Sequence, residues 1–255
     1  MLVVISPAKR LDWSPAPDLP LTDPAFGAEA LALAEQARGL GVAELRRLMG
    51  ISETLAQLNR DRFAAFSADP EPEMLRPAVF GFAGDTYAGL EAKTLDRDTL
   101  IWAQDHLRIL SGLYGLLRPL DRIQPYRLEM GSRLATPRGA SLYDWWGDRV
   151  ATALNHDAAA LGSDVLINCA SIEYFTAANR PTLTLRVVTP VFLEERNGKQ
   201  GIVSFWAKKA RGAMARFIAE NRLTDPRDID AFEAGGYRLA PDLSEGDRRV
   251  FLRGG

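Results

Sequence analysis

The chain has 255 residues, 47% of them apolar, with one cysteine and a formal net charge of −2 from 31 basic and 33 acidic residues. This is the composition of a folded protein with a sizeable core; it excludes an internal disulfide and lacks the overall basic character of most DNA-binding domains. No run approaches the roughly 20 apolar residues of a spanning helix and no cleavable leader is visible, so a cytoplasmic protein that avoids the membrane is expected.

From the amino terminus, the β-branched run LVVIS reads as a buried strand that stops at Ser6-Pro7, leaving Lys9 and Arg10 on a strand-end loop. Prolines 15, 17, 20 and 24 make the next stretch extended, and a helix is predicted from about Ala25 to Arg38. Two shorter helices follow, over Val42 to Leu48 and Ser52 to Phe66, the second with Ser52 as N-cap and Glu53 in its first turn. Ala78 to Phe82 (AVFGF) reads as a strand, Asp85 to Leu90 as a turn, and Asp96 to Leu107 as a helix. LRILSGLYG begins as a strand and breaks at Gly112.

Between Gly115 and Gly147 neither period is clear, and prolines 119, 125 and 137 suggest a long ordered loop, which is uncommon unless it serves a function. A helix from about Tyr143 to Leu161, the strand VLINCAS and the β-rich run TLTLRVVTPVFLEE come next. Asn197-Gly198 marks a hairpin between that run and GIVSFW, after which a helix extends to Asn221. Alternating strands and helices with an antiparallel hairpin predict an α/β fold, a mixed sheet with surrounding helices, as a single domain over residues 1–255.

Charge is distributed unevenly. Ser204 to Arg222 holds five basic residues and one acid, a local net of 5 − 1 = +4, whereas Asp225 to Asp247 holds seven acids and two arginines. On a helix over Ala207 to Asn221, Ala210, Ala213, Met214, Phe217 and Ile218 share one side, and Lys208, Lys209, Arg211 and Arg216 the other. Clustered cations on one face suit phosphate neutralisation; a solvated surface helix is the plainer alternative.

Leu48 to Ala56 has the form of a helix-hairpin-helix turn, whose backbone N–H groups can meet a phosphate, with Gly50, Ile51 and Ser52 at its apex; a tight hairpin that merely packs two helices is the other reading. Arg118, Arg122, Arg127 and Arg133 lie in the central loop, where Arg127 and Glu129 suit either an internal ion pair or a phosphate clamp. His106, His156 and Cys169 lack metal-ligand spacing, so no metal and no cofactor is expected, and Cys169 reads as a buried small residue.

Five segments in order, ISPAKRLD (5–12), FGFAGDTYAGL (80–90), HLRILSGLYGLLRPLDRIQPYRLEMGSRL (106–134), INCASIEYF (167–175) and FWAKKARGAMARFIAENRL (205–223), together resemble the YaaA family of bacterial peroxide-stress proteins. The resemblance implies protection against peroxide by limiting iron-driven Fenton chemistry, and a DNA-binding protein of unusual mixed α/β fold with a positively charged cleft. Carried over residue by residue, it makes Lys9, Arg127, Lys208, Lys209 and Arg211 candidates for one cleft and Gly50, Ile51 and Ser52 the hairpin; Ser52 replaces the hairpin's usual second glycine.

The expected function is therefore duplex DNA binding through phosphate contacts from Lys9, Arg10, Gly50, Ile51, Ser52, Arg127, Lys208, Lys209, Arg211 and Arg216, without specific base readout. The rival is an enzyme acting on a nucleotide or other phosphate-bearing small molecule, because Lys9, Asp85, Arg127, Glu129, Glu173 and Lys208 fall beside strand ends or rigid loops.

Overall fold

The computed structural model describes residues 1–254. In chain order the strands are β1 (Leu2–Ile5), β2 (Arg10–Leu11), β3 (Arg76–Pro77), β4 (Phe82–Ala83), β5 (Leu107–Ser111), β6 (Gly115–Leu117), β7 (Arg122–Ile123), β8 (Val165–Cys169), β9 (Arg186–Arg196), β10 (Lys199–Gly201), β11 (Arg238–Leu239) and β12 (Arg248–Gly254). The α-helices are α1 (Gly27–Arg38), α2 (Val42–Met49), α3 (Glu53–Ala65), α4 (Ala78–Gly81), α5 (Asp85–Leu90), α6 (Arg97–His106), α7 (Leu142–Trp146), α8 (Arg149–Ala160), α9 (Ile172–Phe175) and α10 (Ser204–Glu220).

Eight strands form a mixed sheet in the order β11-β12-β9-β8-β1-β5-β6, with β10 also paired to β9. The pairs β5–β1, β1–β8, β8–β9 and β9–β12 are parallel; β5–β6, β9–β10 and β11–β12 are antiparallel. All four residues of β1 and all five of β5 and β8 are buried, as befits strands covered on both faces, which is why they read as unbroken apolar runs.

Strand order decides where the sheet opens. From β1 the chain crosses to β5 on one side, then returns past β1 to β8 on its other side, and continues outward to β9. The loops that leave the carboxyl ends of β1 and β8 therefore diverge, and such a divergence leaves a crevice beyond the strand ends. Ile5 and Cys169, the last residues of these strands, are in register there.

Several predicted elements form as expected. Ser52 caps α3 by accepting the Leu55 N–H at 3.3 Å, Asp96 caps α6 through the Thr99 N–H at 2.7 Å, and Asn197 and Gly198 turn the β9–β10 hairpin with φ of 52° and 72°.

Others differ. The predicted strand Ala78–Phe82 is mostly the short helix α4, a fully buried turn whose first two amides donate to the carbonyls of Asp121 and Pro119 at 2.9 Å. A short apolar run cannot reveal that choice by periodicity. The predicted turn at Asp85–Leu90 is the helix α5. Gly147, with φ 50°, divides the predicted helix Tyr143–Leu161 into α7 and α8. The hairpin's return strand covers only Lys199–Gly201, and Ser204–Trp206 belong to α10. Part of the predicted central loop forms β6, β7 and α7.

The carboxy-terminal region contributes β12, which adds to β9 in parallel and closes an aromatic cluster. Phe192 lies 5.2 to 5.8 Å from the rings of Tyr237, Phe251 and Phe232, and Arg253 pairs with the buried Glu194 at 2.6 Å.

Candidate functional site

A cavity of about 510 Å³ occupies the crevice beyond the ends of β1 and β8. Its walls come from Ser6 to Arg10 after β1, Ala83 to Thr86 at the start of α5, Ser171, Glu173 and Tyr174 after β8, and Lys208 and Arg211 of α10. Ser6 ties the two diverging loops together: its Oγ accepts the Ser171 N–H at 2.9 Å and lies 3.3 Å from Ser171 Oγ.

Glycine sets the fourth wall. A Cβ on Gly212 would stand 1.7 Å from the Thr86 carbonyl oxygen, and one on Gly89 1.9 Å from that of Lys209. Only glycine at both positions lets α10 and α5 approach backbone to backbone, and that contact holds Lys208 and Arg211 over Asp85 and Thr86.

The predicted cations separate into three groups. Lys9, Arg10, Lys208 and Arg211 line the crevice, and with Asp85 and Glu173 they leave a local excess of 4 − 2 = +2. Burial lowers the Arg211 pKa, the sign of a guanidinium held away from water, and no carboxylate pairs with it among the described residues.

Arg127 reaches the same region through Glu129. Glu129 Oε1 accepts Arg127 Nη2 at 2.9 Å and Nε at 3.1 Å and pairs with Lys9 Nζ at 3.2 Å. Glu129 is buried, and its Oε2 has no hydrogen-bond partner among the described residues. The ion-pair reading of Arg127 thus holds, and the pair ties the central loop to the β1 loop. Behind it, Arg62 of α3 has a lowered pKa, first from burial and then from the charge of Arg127.

The remaining candidates lie elsewhere. Lys209 is exposed on α10 and does not line the crevice. Arg216, expected on the free basic face, is partly buried; its Nη1 donates to the carbonyls of Leu90 and Glu91 and to Thr94 Oγ1, and its Nη2 pairs with Glu220 at 2.7 Å. It caps the end of α5 rather than facing a partner, because the helix face assigned from period alone is wider than the face left free by α5.

Gly50, Ile51 and Ser52 form a tight turn between α2 and α3, with Gly50 at φ 61° and Arg46 and Arg47 beside it. The Gly50 and Ile51 amides both donate to the Arg46 carbonyl, and Ser52 Oγ accepts the Leu55 N–H.

Neighbours the sequence did not single out are Ser6, Ser171, Thr86 and Arg62. Ser6 and Ser171 follow strands, Thr86 lies in α5 and Arg62 within α3, so what brings them together is the order and packing of elements distant in sequence. Among the described residues no group of three or more His, Cys, Asp or Glu is arranged to hold a metal ion, and no helix is long and apolar enough to cross a membrane. His106 Nδ1 lies 3.1 Å from the Met1 carbonyl oxygen, and Cys169 is buried.

A family model described as peroxide stress protein YaaA matches residues 1–243. A UPF0246 protein of Cereibacter sphaeroides is 64% identical over 259 residues, covering 100% of both chains. UPF0246 proteins of Roseobacter denitrificans and Ruegeria pomeroyi are 60% and 59% identical, each over 99% of this chain and 98% of their own.

Proposed function

Because the chain belongs to the family of the peroxide stress protein YaaA, we propose that it serves the peroxide response as a cytoplasmic DNA-binding protein. It holds duplex DNA by its phosphates and limits the damage that iron-driven peroxide chemistry does there. The observation that carries this reading is the convergence of Lys9, Arg10, Lys208 and Arg211 on one crevice at the sheet's switch point. Phosphate contact needs cations grouped on one surface, whatever the net charge of the chain. The α2–α3 turn, flanked by Arg46 and Arg47, supplies a subsidiary contact through its surface cations, since two of its amides are already used.

Contacts of this kind position a duplex without reading bases. Four neutralised phosphates give a slope of log affinity against log salt of roughly −3 to −4. Fluorescence anisotropy of a labelled duplex across a salt series tests this; a flat salt dependence contradicts it.

A second reading, an enzyme acting on a nucleotide or other phosphate-bearing small molecule, is favoured by one feature: Asp85 and Glu173 share the cavity with the cations, and its volume of about 510 Å³ is that of a small-ligand site. Carboxylates oppose a duplex but suit proton transfer. Saturable binding of a nucleotide in the absence of any duplex binding would select it.

A further inference from the structure

The opposite end of the sheet carries a second cavity, of about 700 Å³, which shares no residue with the crevice. It opens where β5 begins and β6, running antiparallel, ends with Leu117 beside Ile109. The start of α1 and the α8 face bearing Arg149, Thr152, Ala153 and His156 complete its walls.

One side is apolar. Phe26, Leu116 and Leu117 line it, and Phe26 is braced by Trp146 with ring centroids 5.4 Å apart. The other side holds Arg108, whose side chain is only 5% exposed. Its Nε donates to Asp157 Oδ2 at 2.6 Å, and its Nη1 donates to the carbonyls of Gln104 and Leu107 at 3.0 and 2.9 Å. Nη2 makes no hydrogen bond among the described residues, so two of the five N–H donors are unused.

Formal charge in the cavity is even, three arginines against three aspartates, but unused capacity is not. Asp157 is committed to Arg108, Asp121 accepts Thr22 Oγ1 at 2.6 Å and the Arg118 N–H at 2.7 Å, and Arg149 donates to the carbonyls of Trp145 and Trp146 at 2.9 and 3.4 Å. Against the free donors of Arg108 and Arg118 stands one carboxylate without a side-chain partner among the described residues, the exposed Asp148. The side chain of Arg118 is exposed at the mouth and joins no ion pair among the described residues. A buried guanidinium with free donors, a second arginine at the entrance and an apolar wall opposite are the recognition elements for an anion attached to an apolar body.

We propose that this cavity is a binding site for a small amphipathic anion, its phosphate or carboxylate on Arg108 Nη2 and Arg118 and its apolar part against Phe26, Leu116 and Leu117. The site is independent of the crevice and of any nucleic acid held there.

Isothermal titration of the full chain with phenyl phosphate, benzoate and neutral benzyl alcohol tests this, in the wild type and in Lys208→Glu, which on the proposed function should weaken phosphate binding at the crevice. Saturable binding of at least one anion, equal in both proteins and at least tenfold tighter than benzyl alcohol, is expected; the tighter of the two anions identifies the head group. Arg108→Gln should weaken it at least tenfold. Ala153→Phe, which fills the cavity and leaves the Arg108–Asp157 pair in place, should do the same without depending on how well the first variant folds. Binding lost in Lys208→Glu, unchanged in Ala153→Phe, matched by benzyl alcohol, or absent for both anions overturns the proposal.

Discussion

Gly212 of α10 sits so close to Thr86 of α5 that a single added carbon would stand 1.7 Å from the Thr86 carbonyl oxygen. The obstacle is backbone, so neither helix can yield without moving the crevice wall. Gly212→Ala should therefore cost about 1–3 kcal/mol as an overpacking change and lower the Tm by roughly 2–12 °C. Duplex affinity of the folded fraction should fall with it, because Lys208 and Arg211 shift together. Gly201→Ala, at an exposed position with open space around its missing Cβ, is the control and should melt like the wild type.

Glu129 holds two cations of the site in place, Arg127 at 2.9 Å and Lys9 at 3.2 Å, with its carboxylate largely buried. Glu129→Gln keeps the shape and removes the charge. Breaking a buried pair in this way should destabilise the chain by about 2–3 kcal/mol, below the 3–5 of full partner loss because the amide oxygen still accepts. The freed Lys9 charge should at the same time tighten duplex binding several-fold at low salt. Denaturant unfolding and anisotropy on one preparation check both; weaker binding would mean that Glu129 positions Lys9 rather than neutralises it.

Burial pushes the Cys169 thiol up to about 12, with the Arg211 charge opposing the shift. The thiolate is then nearly absent at pH 8, and thiolate is the form that peroxide and alkylating agents attack. Native protein should resist iodoacetamide at pH 8 for hours, whereas urea-unfolded protein should be labelled within minutes. Rapid labelling of the native chain would show an accessible thiolate and contradict this reading of Cys169.

His106 stacks on Trp102 with ring centroids 3.8 Å apart, and burial lowers its pKa while the bond to the Met1 carbonyl opposes that shift. A histidine whose folded pKa lies below its unfolded value of about 6.5 stabilises the fold above that pH and loses the contribution as the pH falls through the folded value. The urea midpoint should drop more between pH 7 and pH 5 in the wild type than in His106→Gln. Parallel drops would show that carboxylates alone carry the acid sensitivity.

Much of the architecture is legible along the chain because local chemistry dictates it. Ser52 and Asp96 announce helix starts with side chains that satisfy free amides, and Asn197-Gly198 supplies the positive φ of a tight hairpin. The apolar run of β1 betrays a strand covered on both faces. What escapes is set by contacts distant in sequence. Ala78–Gly81 coils instead of extending because Pro119 and Asp121 offer their carbonyls to its amides. β12 has no motif of its own and joins the sheet by pairing with β9.

The candidate site divides in the same way. Lys9, Arg10, Lys208 and Arg211 were legible as cations on strand-end loops and a basic helix, and strand order brings them to one crevice. Arg216 shares their helical period yet turns to the carbonyls at the end of α5. Nothing in the period distinguishes it from Lys208, since the difference lies in where a second helix packs. The Ser6–Ser171 link and the unused Nη2 of Arg108 likewise depend on the sheet's order, which no local pattern states.

The central claim is that the crevice cations hold DNA, and reversing two exposed ones tests it most directly. Fluorescence anisotropy of a labelled duplex at low and physiological salt would compare wild type, Arg10→Glu/Lys208→Glu and, as a control, Lys199→Glu on the exposed β9–β10 hairpin. Salt-sensitive binding in the wild type, retained within about twofold in the control and weakened at least tenfold in the double variant, is the expected result. Equal affinity of the double variant and the wild type, or a loss of the same size in the control, would contradict it.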